Sequence, residues 1–154
     1  MKTRKLNLLL VFLLLLPLGV ALLGAGCKKE ETRDHNLVVK EFPILYMGYN
    51  LKPEKTVIIR DQETFDKVFS KELVTQFSVM QNIDFSKYDV LVGENFYTRG
   101  IAKLEHRFTQ SGNSYLYKLS VIYNDALPAG NFCYGIIINK LPAEANVKFE
   151  VTKI

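Results

Sequence analysis

Apolar and polar residues alternate through most of the second half of the chain. In Ile101–Thr109, Ala102, Leu104, His106 and Phe108 fall on one face, and in Tyr115–Tyr123 so do Tyr115, Tyr117, Leu119, Val121 and Tyr123. Val147, Phe149 and Val151 alternate with Lys148, Glu150 and Thr152 near the end. A period of two predicts half-buried strands, and Ser111-Gly112-Asn113 between the first two reads as a hairpin turn. The unbroken apolar run Phe132–Ile138 predicts a buried strand, and shorter runs at Val38–Phe42, Ile44–Tyr46, Thr56–Ile59 and Val90–Val92 predict others. Pro43 marks an edge or a bend.

The period changes once. Asp61 is placed as a helix N-cap before Phe65, Val68 and Phe69, which share one helical face, with Glu63 in the first turn. Lys71–Gln81 fits either a helix (Leu73, Phe77, Met80) or extended chain. In Ile83-Asp84-Phe85-Ser86, Asp84 is placed to accept from a backbone N–H two residues on and so form a turn. Consecutive strands with short connections predict an antiparallel meander, able to close as a sandwich or barrel. One main helix packed on that sheet makes residues 37–154 a single α+β domain.

The first residues follow a different logic. Lys2, Arg4 and Lys5 precede an apolar stretch from Leu8 to Leu23, then Gly24, Ala25, Gly26 and Cys27. A basic head, an apolar centre and a small-residue cleavage zone form a secretory signal. The segment resembles the lipobox of bacterial lipoproteins, with Gly24 where Leu is usual, and the resemblance implies a lipidated Cys27. An uncleaved anchor is the competing reading, because Leu8–Gly26 is 19 residues without a charge, enough to cross a core of ~30 Å. Pro17, Gly19, Gly24 and Gly26 weaken a helix there. We therefore expect residues 1–26 to be a signal peptide and 27–36 a lipid-anchored polar tether. The expected location is the cell envelope, held at the outer membrane and facing the periplasm or the surface. Lys29-Glu30-Glu31 is similar to a surface-export signal, although a solvated linker explains the same charges.

Removing that segment changes the charge. The chain has 154 residues and a net charge of +4; three of its 20 Lys+Arg and none of its 16 Asp+Glu lie in residues 1–26, which leaves +1. No basic surface for nucleic acid is implied. With Cys27 lipidated, Cys133 has no intrachain partner and is expected to be buried as a small apolar residue.

Val57-Ile58-Ile59, Asp61–Phe69, Ile83-Asp84-Phe85-Ser86, Val90-Leu91-Val92 and Tyr97-Thr98-Arg99-Gly100 follow one another in an order that resembles the C-terminal domain family named after the protease-complex subunit PrcB. The resemblance covers roughly residues 55–152. It implies an α+β fold and a role in binding and stabilising a partner protease. The family's paired glycines before an aromatic are replaced here by Arg99-Gly100-Ile101.

Sequence motifs for chemistry are missing: no Gly-x-Ser-x-Gly, no His-Glu-x-x-His, no phosphate loop and no paired Cys ligands. His106 and Glu105 are strand neighbours pointing to opposite faces, so they form no dyad. Asp84, Asp89 and Glu94 lack a calcium-loop pattern; Asp84 is expected to form a turn and the other two to be solvated. No metal or cofactor is expected. The strand face led by Tyr115 and Tyr117 is expected in the core, whereas Phe96, Tyr97 and Arg99 at a turn tip are the candidate partner-binding residues. The expected function is a non-catalytic envelope module that binds or stabilises a protease or other envelope protein. The alternatives are a small-ligand carrier or enzyme whose site gathers Asp84, His106 or Arg107, and a structural or adhesive surface protein.

Overall fold

The computed structural model describes residues 35–126 and 129–154. The expectations for the signal, for Cys27 and for tether residues 28–34 lie outside the described residues. Chain contacts divide the protein into two units, 1–31 and 32–154, and the account below concerns the second.

Among the described residues, seven strands and two short helices follow one another: β1 (Val38–Glu41), β2 (Thr56–Ile59), α1 (Gln62–Val68), α2 (Lys71–Gln76), a 3-10 turn (Ser78–Met80), β3 (Tyr88–Tyr97), β4 (Ile101–Ser111), β5 (Ser114–Tyr123), β6 (Gly130–Asn139) and β7 (Asn146–Lys153). The domain is mainly β with some helix. Asp61 caps α1 as expected, its Oδ1 accepting the Thr64 N–H at 2.7 Å. The ambiguous stretch after it becomes a second helix because Ser70 supplies its own cap, accepting the Leu73 N–H at 3.2 Å. Two short helices thus replace the single main helix expected.

The strands do not form a meander. One sheet has the order β1-β6-β3-β2 and the other β4-β5-β7. β6 leaves the sheet of β5 and inserts antiparallel between β1 and β3, pairing from Tyr88↔Asn139 to Tyr97↔Gly130. β7 then returns and lies parallel to β5. The expected β4–β5 hairpin is present, closed by Gly112-Asn113 with Gly112 at φ 57.

This exchange makes the four-stranded sheet a middle layer. On one face Val90, Val92, Cys133 and Ile137 pack with Phe65, Val68, Phe69, Leu73 and Met80 of the helical layer. On the other, Leu91, Phe132, Tyr134, Ile136 and Ile138 pack with Leu104, Phe108, Tyr117, Leu119 and Val121 of the second sheet. Strands covered on both faces have no polar side, which is why β6 and the Val90–Val92 stretch of β3 read as unbroken apolar runs. The second sheet has one wet face and therefore alternates.

Close packing at the centre depends on a missing side chain. Gly93 lies directly opposite Tyr134, and the Tyr134 ring occupies the space a Cβ on Gly93 would need, overlapping it at Cζ and Oη. Tyr134 is 2% exposed, so its ring cannot swing out to solvent. Gly93→Ala is therefore expected to lower stability by about 2–3 kcal/mol through overpacking, measured as a lower urea midpoint at unchanged slope. An unchanged midpoint would show that the ring relocates freely.

Before β1, Asn36 seals the free edge of β4. Its side chain accepts the Phe108 N–H at 2.9 Å and donates to the His106 carbonyl at 3.1 Å, while Leu37 N–H donates to Phe108 O at 2.7 Å. The segment that enters the domain thus ties the two sheets together on one side and covers part of an otherwise open strand edge.

Candidate functional site

The three candidate residues lie where β3 leaves its sheet. Strand alternation puts Tyr97 on the face toward the second sheet and Phe96 on the opposite face. Tyr97 is half-buried. Its ring meets Phe132 edge-on at 6.1 Å and Tyr46 edge-on at 5.6 Å. It passes over Gly130, where a Cβ would lie 3.1 Å from its hydroxyl. Phe96 is 45% exposed; its carbonyl accepts from Lys153 Nζ at 2.9 Å and its N–H donates to Asn95 Oδ1 at 2.8 Å. Arg99 is exposed. Among the described residues its guanidinium makes no ion pair, and its positive field falls on the Tyr123 hydroxyl.

The Tyr97-Thr98-Arg99-Gly100 segment is a passage from one sheet to the other rather than a free hairpin tip. Gly100 N–H donates to Ala126 O at 2.5 Å, and Asn124 N–H donates to Gly100 O at 2.8 Å. Asn124 Oδ1 folds back onto the Ala126 N–H at 3.0 Å. A side chain at position 100 would collide with Asn124 and Ala126, so this loop pair holds Arg99 at a fixed place.

Two further members come from a segment distant in sequence. Leu45 bridges Cys133 on β6, which brings Tyr46 and Met47 to the same end of the sheet as Phe96, itself opposite Asn131. With strands ~4.8 Å apart, the backbones of Tyr46 and Phe96 lie about 10 Å from each other across β6, but the Tyr46 ring meets Tyr97, on the face opposite Phe96. Tyr46 is 49% and Met47 76% exposed. The signal for Tyr46 in the sequence was only a short apolar run after Pro43; its neighbours follow from the β1–β6 pairing.

The carboxylates expected to be solvated are buried. Glu94 is 3% exposed, and its Oε2 accepts the N–H of Glu54 at 2.8 Å, a residue at φ 57. With Glu94 N–H donating to Lys55 O, this carboxyl group fixes the Lys52–Lys55 turn beside the tip. Tyr49 is pushed up to about 12 by burial first and the nearby Glu94 second. Asp89 is fully buried beside Lys140 Nζ, 2.9 Å away.

Asp84, His106 and Arg107 do not converge. Asp84 forms the expected turn, accepting from the Ser86 N–H at 3.0 Å and facing Lys87 at 2.9 Å; the Ser86 hydroxyl and Lys87 hold its carboxyl down at about 2. His106 belongs to the core of the second sheet, with Nδ1 2.7 Å from the Tyr117 hydroxyl, and burial pushes it down to about 4. Arg107 faces outward from the same strand. Cys133 is buried, and burial raises its thiol far above the ordinary range, so it packs as an apolar group. Among the described residues no cluster of three or more His, Cys, Asp and Glu side chains could hold a metal, and no helix is long and apolar enough to cross a membrane.

No family model matches the chain, and no curated protein or solved structure matches it either.

Proposed function

We propose that this protein is a lipid-anchored cell-envelope lipoprotein whose domain binds an envelope protein without catalysis, through the end of β3. One observation carries the reading: Tyr46, Met47 and Phe96 are exposed at the same sheet end as the exposed Arg99, which has no ion-pair partner among the described residues. Exposed aromatic and arginine side chains on a rigid support are the groups that dominate protein recognition. The signal-like N-terminus with Cys27 supports the anchor, held at the outer membrane and facing the periplasm or the surface. The resemblance to the PrcB-type domain supports a protease, or another envelope protein that needs stabilising, as the partner.

Two measurements test the two halves. Radiolabelled palmitate is expected to mark the wild type and to be lost in Cys27→Ser; label retained by that variant overturns the anchor. In-cell crosslinking is expected to capture a specific protein that Phe96→Ser with Arg99→Ala captures about tenfold less. Tyr97 is left intact, because it packs on Phe132 and its loss would disturb the fold. Equal capture by the double variant overturns the site.

A further inference from the structure

A strand at the edge of a sheet presents a row of unpaired backbone N–H and C=O groups, and folded proteins ordinarily shorten, bulge or cover such edges. Three of the four edges here are treated in that way. The first sheet ends on β1 and β2, each four residues long, and the β1 register shifts between Val38 and Lys40. The second sheet ends on β4, whose register shifts between Ile101 and Lys103 and whose edge Asn36 and Leu37 cover near Phe108. Its other edge, β7, is eight residues long, contains no proline and pairs with β5 without a register shift. Among the described residues no strand lies beyond it.

The ladder with β5 decides which groups of β7 face outward. Ile154 N–H donates to Val121 O at 2.9 Å, and Ile154 O accepts the Tyr123 N–H at 3.0 Å, so Ile154 turns its backbone groups toward β5. Backbone direction alternates along a strand; Val147, Phe149, Val151 and Lys153 therefore turn theirs to the open side. The side chains of Val147, Phe149 and Val151 are only partly buried, packed at the margin of the core between the two sheets. On the wet face Lys148 and Glu150 stand 2.8 Å apart, their side chains 72% and 38% exposed. The segment Val147-Lys148-Phe149-Glu150-Val151 is its own complement when reversed. Its apolar positions are symmetric about Phe149, and the two positions flanking Phe149 carry opposite charges.

We propose that β7 pairs antiparallel with β7 of a second copy of this chain about a two-fold axis at Phe149, joining the second sheets of the two copies in the order β4-β5-β7-β7-β5-β4. In this register Val147 lies opposite Val151 of the second copy, Phe149 opposite Phe149, and Lys148 opposite Glu150. Val147, Phe149 and Val151 then form the hydrogen-bonded pairs, which matches the outward direction of their backbone groups. Lys148 and Glu150 fall at the closer, non-hydrogen-bonded pairs. Sliding one copy by two residues keeps the backbone bonds but sets Lys148 against Lys148 or Glu150 against Glu150. The exposed charges thus select the register, while backbone bonds and the newly covered Val and Phe surface supply the attraction. A two-fold contact occupies the open edge of both copies, and the covered β4 edge offers no second site for growth, so the assembly closes as a dimer. Nothing in this inference rests on partner binding at the end of β3.

The test is sedimentation equilibrium of the full chain in density-matched detergent, with micelles in excess over protein so that copies share one only by association. The wild type is expected to show a monomer–dimer equilibrium. Lys148→Glu and Glu150→Lys each set like charges across the axis, and each is expected to weaken the dimer about tenfold. Lys148→Glu combined with Glu150→Lys in one chain restores opposite pairs and should restore the wild-type constant. A mixture of the two single variants should form the mixed dimer in preference to either self-dimer. Lys67→Glu, on α1, should change nothing. Disulfide trapping reads the register. Lys148→Cys mixed with Glu150→Cys is expected to crosslink about tenfold faster than Lys148→Cys alone, because directly opposite Cβ atoms lie about 4.5–5.5 Å apart and the two copies' 148 positions about 7–8 Å apart on the diagonal. The wild type, with Cys27 and Cys133, sets the background. A chain that stays monomeric at every concentration, a dimer that both single charge variants leave unchanged, or trapping equally fast in Lys148→Cys alone overturns the proposal.

Discussion

Lys140→Met is expected to cost the domain about 3 kcal/mol. Lys140 Nζ lies 2.9 Å from Asp89 Oδ1 and donates to Arg60 O and Phe85 O, each at 2.9 Å. Asp89 is fully buried; its Oδ2 takes the Leu141 N–H at 3.0 Å, and no hydrogen-bond donor is aligned on its Oδ1. The attraction of the ammonium for that oxygen is therefore coulombic, and without it a buried carboxyl group is left with half its demand unmet. Breaking a buried pair from one side costs about 3–5 kcal/mol, and the lower end applies because the Lys140 side chain is 37% exposed. A drop of roughly 10 °C in melting temperature follows for a domain of this size. Asp89→Leu together with Lys140→Met should recover much of the loss, since the pair is then removed as a unit. If the single variant melts within 2 °C of wild type, water already satisfies Asp89 and the pair is not structural.

Asp89 also shows what the sequence could and could not convey. Asp89 heads the apolar run Val90-Leu91-Val92, and a polar residue at a strand start is ordinarily solvated. Its burial comes from β6, 50 residues later, which lies beside it (Asp89↔Ile138) and carries Lys140 two positions on. The same strand exchange defeated the meander. Local alternation correctly marked β4, β5 and β7 as having one wet face, and the continuous runs of β3 and β6 marked burial. Nothing local distinguishes a strand that continues its own sheet from one that crosses to another, because both have the same apolar length and the same turn residues around them. The parallel pairing of β5 with β7 follows from that crossing. Helix α2 was ambiguous for a different reason: Val74, Thr75 and Val79 suit extended chain, and the Ser70 cap decided the outcome.

The candidate site was legible in part. Phe96 and Arg99 are exposed, and the Gly100 segment after them is held by Asn124 and Ala126, which approach from the loop after β5. Tyr97 is half-buried, with its ring edge-on to Phe132. Tyr46 could be placed only once β1 and the bridge at Leu45 were aligned along β6. Each of these depends on pairing between residues 24 to 100 positions apart, which periodicity does not encode.

Acidification is expected to destabilise the domain by about 3 kcal/mol through His106 alone. The side chain is 7% exposed and shares a 2.7 Å hydrogen bond with the buried Tyr117 hydroxyl. Burial holds it down at about 4, against 6.5 when unfolded. Above pH 6.5 the imidazole is neutral in both states and contributes no pH dependence. As pH falls from 6.5 the unfolded chain takes up a proton that the folded chain refuses, so stability declines steadily until the folded pKa near 4 is passed. A displacement of about 2.5 units corresponds to about 3 kcal/mol at full extent. His106→Gln retains an acceptor for Tyr117 but cannot titrate in this window, so its unfolding free energy should be flatter between pH 7 and pH 4. Asp84, Asp61 and Glu150 are also held below their ordinary values by hydrogen bonds and neighbouring lysines. They remain in both proteins, and the difference between the two urea-denaturation profiles therefore isolates His106. The difference should open below pH 6.5 and level off near pH 4. Parallel profiles would mean that the imidazole takes up its proton in the folded state at the ordinary pKa, and that water reaches it on β4.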